Sequence, residues 1–179
     1  VIAHELVQQW FGNAVSFLTF KDVWLSEGFA TYGEFLWTDK RFGWQSACNY
    51  LHSNFHQFYL NWEANSGPQT IYNPSFYNYF SPPSYEKAAS VLHMLRLKLG
   101  DTNFFNLLRL YYNTYKNGNA ITAEFEALAE QVSGQDLSQF FNQWIYGSGI
   151  PGVKYSLWQN ESNNHLEIYA KTTSPTATS

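Results

Sequence analysis

Apolar positions recur at helical spacing through most of this chain and alternate like a strand only near its end. The run VIAHELVQQW, residues 1–10, reads as a helix; after a short apolar connection holding Gly12 and Asn13, a second helix is expected from Leu25 to about Leu36. A third runs from about Trp44 to Leu60. The stretch from Asn61 to Ser84 carries Gly67, Pro68, Pro74, Pro82 and Pro83 among Asn, Ser and Tyr, and reads as one long loop. Loops of that length usually have a task, such as lining a cleft. Beyond it the punctuation is sharp. Tyr85 to Leu99 stops at Gly100, Asp101 is placed to cap a run to about Lys116, and Gly118 follows. Thr122 is placed to cap a helix reaching Gly134, and Asp136 with Gln139 resembles a capping box opening a last helix that ends at Gly147. After Pro151, VKYSLW and LEIYAK alternate in strand fashion around the turn-forming NESNN, and TTSPTATS forms a Ser/Thr-rich tail. The expected fold is mainly α over 1–150, with the start of a β module and the tail over 151–179.

Composition narrows the classes of function. The 179 residues are 45% hydrophobic and only 13% charged, enough apolar matter for one compact domain with an appendage. Ten Lys+Arg against fourteen Asp+Glu give a net charge of −4 with no basic run, so nucleic acid is not an expected partner. The single cysteine, Cys48, leaves no intrachain disulfide to form. The longest apolar stretches fall far below the ~18 residues of a membrane span. The chain opens on a helix-like run with no preceding cap or turn, as a piece of a longer protein does, which makes the remainder of a parent chain an expected partner. Low charge, a Ser/Thr-rich end and abundant Asn and Tyr point to an exported or extracellular bacterial protein.

Candidate chemistry begins with His4 and Glu5 on the first helix and Glu27 nineteen residues after position 8. The strings HELVQQWFGN and WLSEGFATY resemble the aminopeptidase N family of zinc metallopeptidases, the gluzincins, whose motif is H-E-x-x-H followed after eighteen residues by a glutamate. The likeness continues through SYEKAASVLHML and FFNQWIYGSGIPGVKYSL and so spans nearly the whole chain. It implies the thermolysin-like helical half of a gluzincin catalytic domain followed by the first strands of a β-sandwich module, a zinc cofactor, and hydrolysis of peptide bonds from the amino end. It also implies roles: His4 and Glu27 as metal ligands, Glu5 as general base, Tyr85 as the phenol that donates to the tetrahedral oxyanion. The physical logic stands beside the likeness. Ligands at i and i+4 on a helix lie about 40° apart and can close on one ion, a neighbouring helix can bring a third, and the open fourth position activates water.

One departure outweighs the matches. Gln8 stands where the family's second histidine ligand belongs, while Gln9, Trp10, Phe11, Gly12 and Asn13 hold the register. An amide offers only a neutral carbonyl oxygen, a poorer zinc donor than imidazole. Zinc is therefore expected to be weak or absent here, with two readings open: a weakly metallated or metal-free relative, which is favoured, or an enzyme that tolerates Gln8 as a ligand. The family's Gly-x-Met-Glu-Asn strand, which binds the substrate's amino end, does not occur in the sequence, and Ala88 stands where the tyrosine motif usually has glycine. A non-catalytic peptide- or protein-binding module is the alternative function. A further one is a carbohydrate-binding surface built from the loop aromatics Tyr72, Phe76, Tyr77 and Tyr79. Glu34, seven residues after Glu27, shares its helical face and can orient a ligand. Cys48, His52 and His56 recur at i, i+4 and i+8, where packing is favoured over a metal site; His93 reads as a core histidine, and Asn160-Glu161-Ser162 as a sequon by pattern only.

Overall fold

The computed structural model describes residues 2–160 and 165–173, and the chain divides into two compact units at residues 1–148 and 149–179. In the first, α1 (Ile2–Gln8), α2 (Trp24–Phe42), α3 (Trp44–Tyr50), α4 (Gln57–Ser66), α5 (Ala88–Tyr115), α6 (Thr122–Ser133) and α7 (Ser138–Phe141) follow in chain order. π-Helical turns at Leu51–His56, Pro83–Lys87 and Asn142–Tyr146 precede α4, precede α5 and follow α7. The central element is α2. Trp24, Leu25, Phe29, Ala30, Tyr32 and Phe35 are all buried on it, and α1, α3, α5 and the Pro83–Lys87 turn pack around it.

An aromatic cluster joins α2 to α5 and α6. Phe125 meets Phe29 and Tyr111 edge-on at centroid distances of 5.2 Å each, and Trp24 at 5.9 Å, geometries in which a positive ring edge meets a negative face. Buried Asp22, just before α2, accepts from the Thr122 backbone N–H at 2.8 Å and the Thr122 hydroxyl at 2.7 Å. A carboxylate there satisfies an orphan donor of α6 and sits at the positive end of its dipole. Thr122 consequently does not act as the expected side-chain cap. Ile121 holds the cap position, and Glu124 accepts its backbone N–H at 2.9 Å. Asp136 likewise caps through Ser138, accepting its N–H at 2.9 Å and its hydroxyl at 2.6 Å, in place of the expected partnership with Gln139.

The helices run further than the pattern predicts: α2 continues to Gly43 and α4 to Gly67, both glycines at positive φ, so residues 61–66 are helical and the long loop begins at 67. Gly100, at φ 77°, breaks α5 where the sequence places a stop. Arg96 spans that break with a forked pair to Asp101, Nε to Oδ1 at 2.7 Å and Nη2 to Oδ2 at 2.9 Å. A short parallel ladder, β1 (Val15–Phe17) on β2 (Gly118–Ala120), ties the segment that follows α1 to the one that precedes α6. In the second unit, β3 (Gly152–Asn160) pairs antiparallel with β4 (His165–Thr173), Leu157 opposite Ile168 and Tyr155 opposite Ala170. The sequon and the hairpin turn fall partly, and the tail beyond 173 wholly, outside the described residues.

His93 is a core histidine. Its Nδ1 lies 3.2 Å from the Tyr32 hydroxyl and its ring 4.6 Å from Phe35. Burial, with the Arg96 charge adding to it, lowers its pKa from the usual 6.5 to about 4. The folded state therefore binds this proton later than the unfolded chain does. The associated stability is full above pH 6.5 and is lost as pH falls towards 4, by up to about 3 kcal/mol. Urea unfolding of the parent and of His93→Leu at pH 7 and pH 4.5 isolates this contribution: because the Glu86 carboxyl, pushed up to about 7 by burial, favours the folded state as pH falls over the same range, the expected result is that acidification costs the parent more stability than it costs the variant. An unchanged difference in that variant would assign the acid sensitivity elsewhere.

Candidate functional site

Two helices supply the site from matching faces. His4 and Gln8 lie one turn apart on α1, and Glu27, Thr31 and Glu34 stand at i, i+4 and i+7 on α2. Gly33 lets the helices approach closely, since a Cβ there would lie 2.4 Å from Val7 Cγ2. Across this crossing His4 Nε2 is 3.2 Å from Glu27 Oε2, and His4 Nδ1 is 3.4 Å from Thr31 Oγ1 and 4.0 Å from Glu34 Oε1. The Gln8 amide nitrogen donates to the same Glu27 Oε2 at 2.9 Å. That orientation follows from chemistry, because the flipped amide would set its oxygen against a carboxylate. From the Pro83–Lys87 turn, the Tyr85 ring stacks on His4 at a centroid distance of 6.0 Å and 19°.

The electrostatics suit a donor at Tyr85. Burial, then the negative charges of Glu27, Glu86 and Glu5 and a hydrogen bond to Glu27, push its phenol up to about 12. It stays protonated at neutral pH. Glu5 is exposed on α1. The fold thus gathers His4, Gln8, Glu27 and Tyr85 at one place, with Glu5 on its rim.

The donor set falls one imidazole short of a catalytic zinc site. Such sites take three protein ligands, usually histidine with a carboxylate or thiolate. Here one imidazole and one carboxylate are joined by an amide that turns its N–H towards the carboxylate. Among the described residues no group of three or more His, Cys, Asp or Glu is arranged to hold a metal ion. Cys48, His52 and His56 are no exception, the two imidazole rings standing 6.4 Å apart and edge to face.

The profile of the peptidase family M1 domain matches residues 1–144. The chain belongs to peptidase family M1. Aminopeptidase M1-D of Oryza sativa subsp. japonica is 35% identical over 159 residues, which are 86% of this chain and 18% of that protein. Aminopeptidase N of Lactococcus lactis subsp. cremoris (strain MG1363) is 33% identical over 160 residues, 86% of this chain and 19% of that one. The chain thus spans under a fifth of the length of these two M1 relatives. Among solved structures, the M1 zinc metallopeptidase from Deinococcus radiodurans superposes with a TM-score of 0.71 at 30% identity, over 83% of this chain and 33% of that one. Legionella pneumophila aminopeptidase A, at 21% identity, shares the fold with a TM-score of 0.77 over 97% of this chain and 19% of its own. The aminopeptidase N-like gluzincin resemblance and the helical half of an M1 catalytic domain are both shown by these matches.

Two site residues went unseen in the sequence. The Tyr50 hydroxyl donates to Glu34 Oε2 at 2.6 Å, and Glu86 shares with Glu34 a pocket beside His4. Tyr50 is distant in sequence and Glu86 follows Tyr85 without a pattern of its own, so only the fold brings them in. Three of the four loop aromatics lie together and the fourth lies apart. Phe76 meets Tyr77 at 5.5 Å and Tyr79 at 5.8 Å, and Tyr79 stacks on Phe20 at 5.5 Å, whereas Tyr72 packs apart from these three, edge-on against Tyr146 at 5.2 Å.

Proposed function

We propose that this chain is a metallopeptidase-type domain, built on the plan of zinc aminopeptidases that hydrolyse peptide bonds from the amino end, whose zinc site is impaired by Gln8. The supporting observation is the 2.9 Å hydrogen bond from Gln8 to Glu27. It spends on an amide the carboxylate that a cation would need, and it holds the α1–α2 crossing together without an ion. In this reading His4 and Glu27 are the remaining ligands, Gln8 the failed one, Glu5 the inherited proton acceptor and Tyr85 the inherited oxyanion donor. The helical domain is assigned to 1–150 and the start of a β module to 151–179. The proposed partners are a peptide or protein substrate and the remainder of a parent chain; among the described residues no helix is long and apolar enough to cross a membrane.

A second reading, a non-catalytic peptide-binding relative, is favoured by the polar pocket of about 250 Å³ that stays open beside His4 and Tyr85. Metal content separates the two states of the site. Protein purified without added metal is expected to carry well under one zinc per chain, and calorimetric titration to give weak binding or none. A stoichiometric nanomolar site that disappears in His4→Ala would overturn the impairment.

A further inference from the structure

Residues 64–84 carry no charged side chain, yet they hold five aromatic rings. The loop is fixed from below. Ile71 and Pro74 are buried, the Tyr72 N–H donates to the Ile145 carbonyl at 2.9 Å, and the Asn73 N–H donates to the Lys21 carbonyl at 2.9 Å. Asn73 makes the turn at φ 51°, in the left-handed region that asparagine tolerates. Beyond it the rings face water: Phe76 is 75% exposed, Tyr77 92% and Phe80 61%, and Phe20 joins them at 50%. They form one connected series. Phe80 meets Phe20 at 6.0 Å, Phe20 stacks on Tyr79 at 5.5 Å, Tyr79 meets Phe76 at 5.8 Å, and Phe76 meets Tyr77 at 5.5 Å. Large apolar side chains gathered in the open like this mark an interaction site.

We propose that this series of rings binds a neutral oligosaccharide, a β-linked chain of glucose or N-acetylglucosamine, independently of the cleft around His4. The surroundings decide the class of ligand. Residues 64–84 bring no charge, and of the two charges that follow Phe20, Lys21 is exposed and Asp22 buried, so the patch lacks the basic cluster that holds an anionic lipid surface. What flanks the rings is polar and uncharged: Asn73 and Ser75 are exposed, and Asn78 is half-buried. A hexopyranose with equatorial substituents matches that division. Its C–H face is apolar and suits the negative face of an aromatic ring, while the hydroxyls around its edge can pair with amide and hydroxyl groups. Several connected rings suit a chain of sugars over a single one, and a loop fixed before binding lowers the cost of ordering.

Calorimetric titration of the whole chain with cellohexaose and with chitohexaose tests this. At least one of the two is expected to bind, and Phe76→Ala and Tyr77→Ala each to weaken that binding about tenfold, in keeping with the loss of one ring contact. Both side chains face water, so these variants should unfold at the same temperature as the parent. Tyr72→Phe alters a ring that packs away from the series, on Tyr146, and should bind as the parent does. Parallel arms use phosphatidylcholine vesicles and a capped proline-rich peptide, two other uncharged partners that aromatic side chains accept. Binding of neither oligosaccharide would overturn the proposal, as would capture of the vesicles or the peptide in their place. Sugar binding that Phe76→Ala and Tyr77→Ala both leave unchanged would put the ligand elsewhere on the chain, and would overturn it too.

Discussion

Gln8→His is expected to raise zinc affinity more than tenfold over the parent protein. The substitution returns an imidazole to the face of α1 that already carries His4, one turn away and opposite Glu27. Two changes act together. A neutral amide becomes a nitrogen donor suited to zinc, and the N–H that occupies Glu27 Oε2 is removed, so the carboxylate is free to turn towards the ion. Loss of a mere supporting partner typically costs ~10–100-fold in metal affinity, which sets a lower bound for restoring a ligand. Position 8 is half-buried and glutamine and histidine are similar in reach, so the variant should fold normally. Calorimetric zinc titration of parent and variant checks this, with circular dichroism as the folding control. Unchanged binding would mean either that Gln8 already serves as an adequate ligand or that the crossing does not accept the ion. Near-stoichiometric zinc in the parent identifies the first case, and its absence the second.

The legible part of this protein was local. The existence of the helices, the glycine stops at Gly100 and Gly134, and the strings around His4, Glu27 and Tyr85 each depend on neighbours a few residues apart and are found in the structure, although α2 and α4 run on past the ends the pattern gives them. What escaped depends on distant partners. Residues 15–17 and 118–120 are too short to show a strand period, and become β1 and β2 only because the fold brings them side by side. Thr122 has the chemistry of a cap, but Asp22, 100 residues earlier, takes both its N–H and its hydroxyl. The Tyr50–Glu34 contact crosses from α3 to α2, and no spacing rule within one helix announces it. The change at position 8 is the reverse case. The sequence shows a glutamine where the family's motif has a histidine, and the structure shows where its amide goes, which is to a hydrogen bond with Glu27.

Gly33→Leu should separate the two halves of the site. A Cβ at 33 would stand 2.4 Å from Val7 Cγ2 and 3.1 Å from Val7 Cβ. Valine is stiff about χ1, so it cannot swing aside, and α1 itself must move. None of the residues of α1 is fully buried, which leaves this short helix little besides the crossing to hold it on α2. Overpacking of this kind typically costs ~1–3 kcal/mol, and a leucine should reach the upper end. The cost falls on function through geometry: as α1 lifts, His4 and Gln8 move away from Glu27, which α2 keeps in place. In a protein carrying both Gly33→Leu and Gln8→His, the gain in zinc affinity from the histidine should therefore vanish, although the same three ligand types are present. Thermal unfolding and zinc titration of the double variant, set against each single one, measure the coupling. If the double variant binds zinc as tightly as Gln8→His alone, then the close approach of α1 and α2 at Gly33 does not fix the site, and the distances from His4 and Gln8 to Glu27 are held by something other than this crossing.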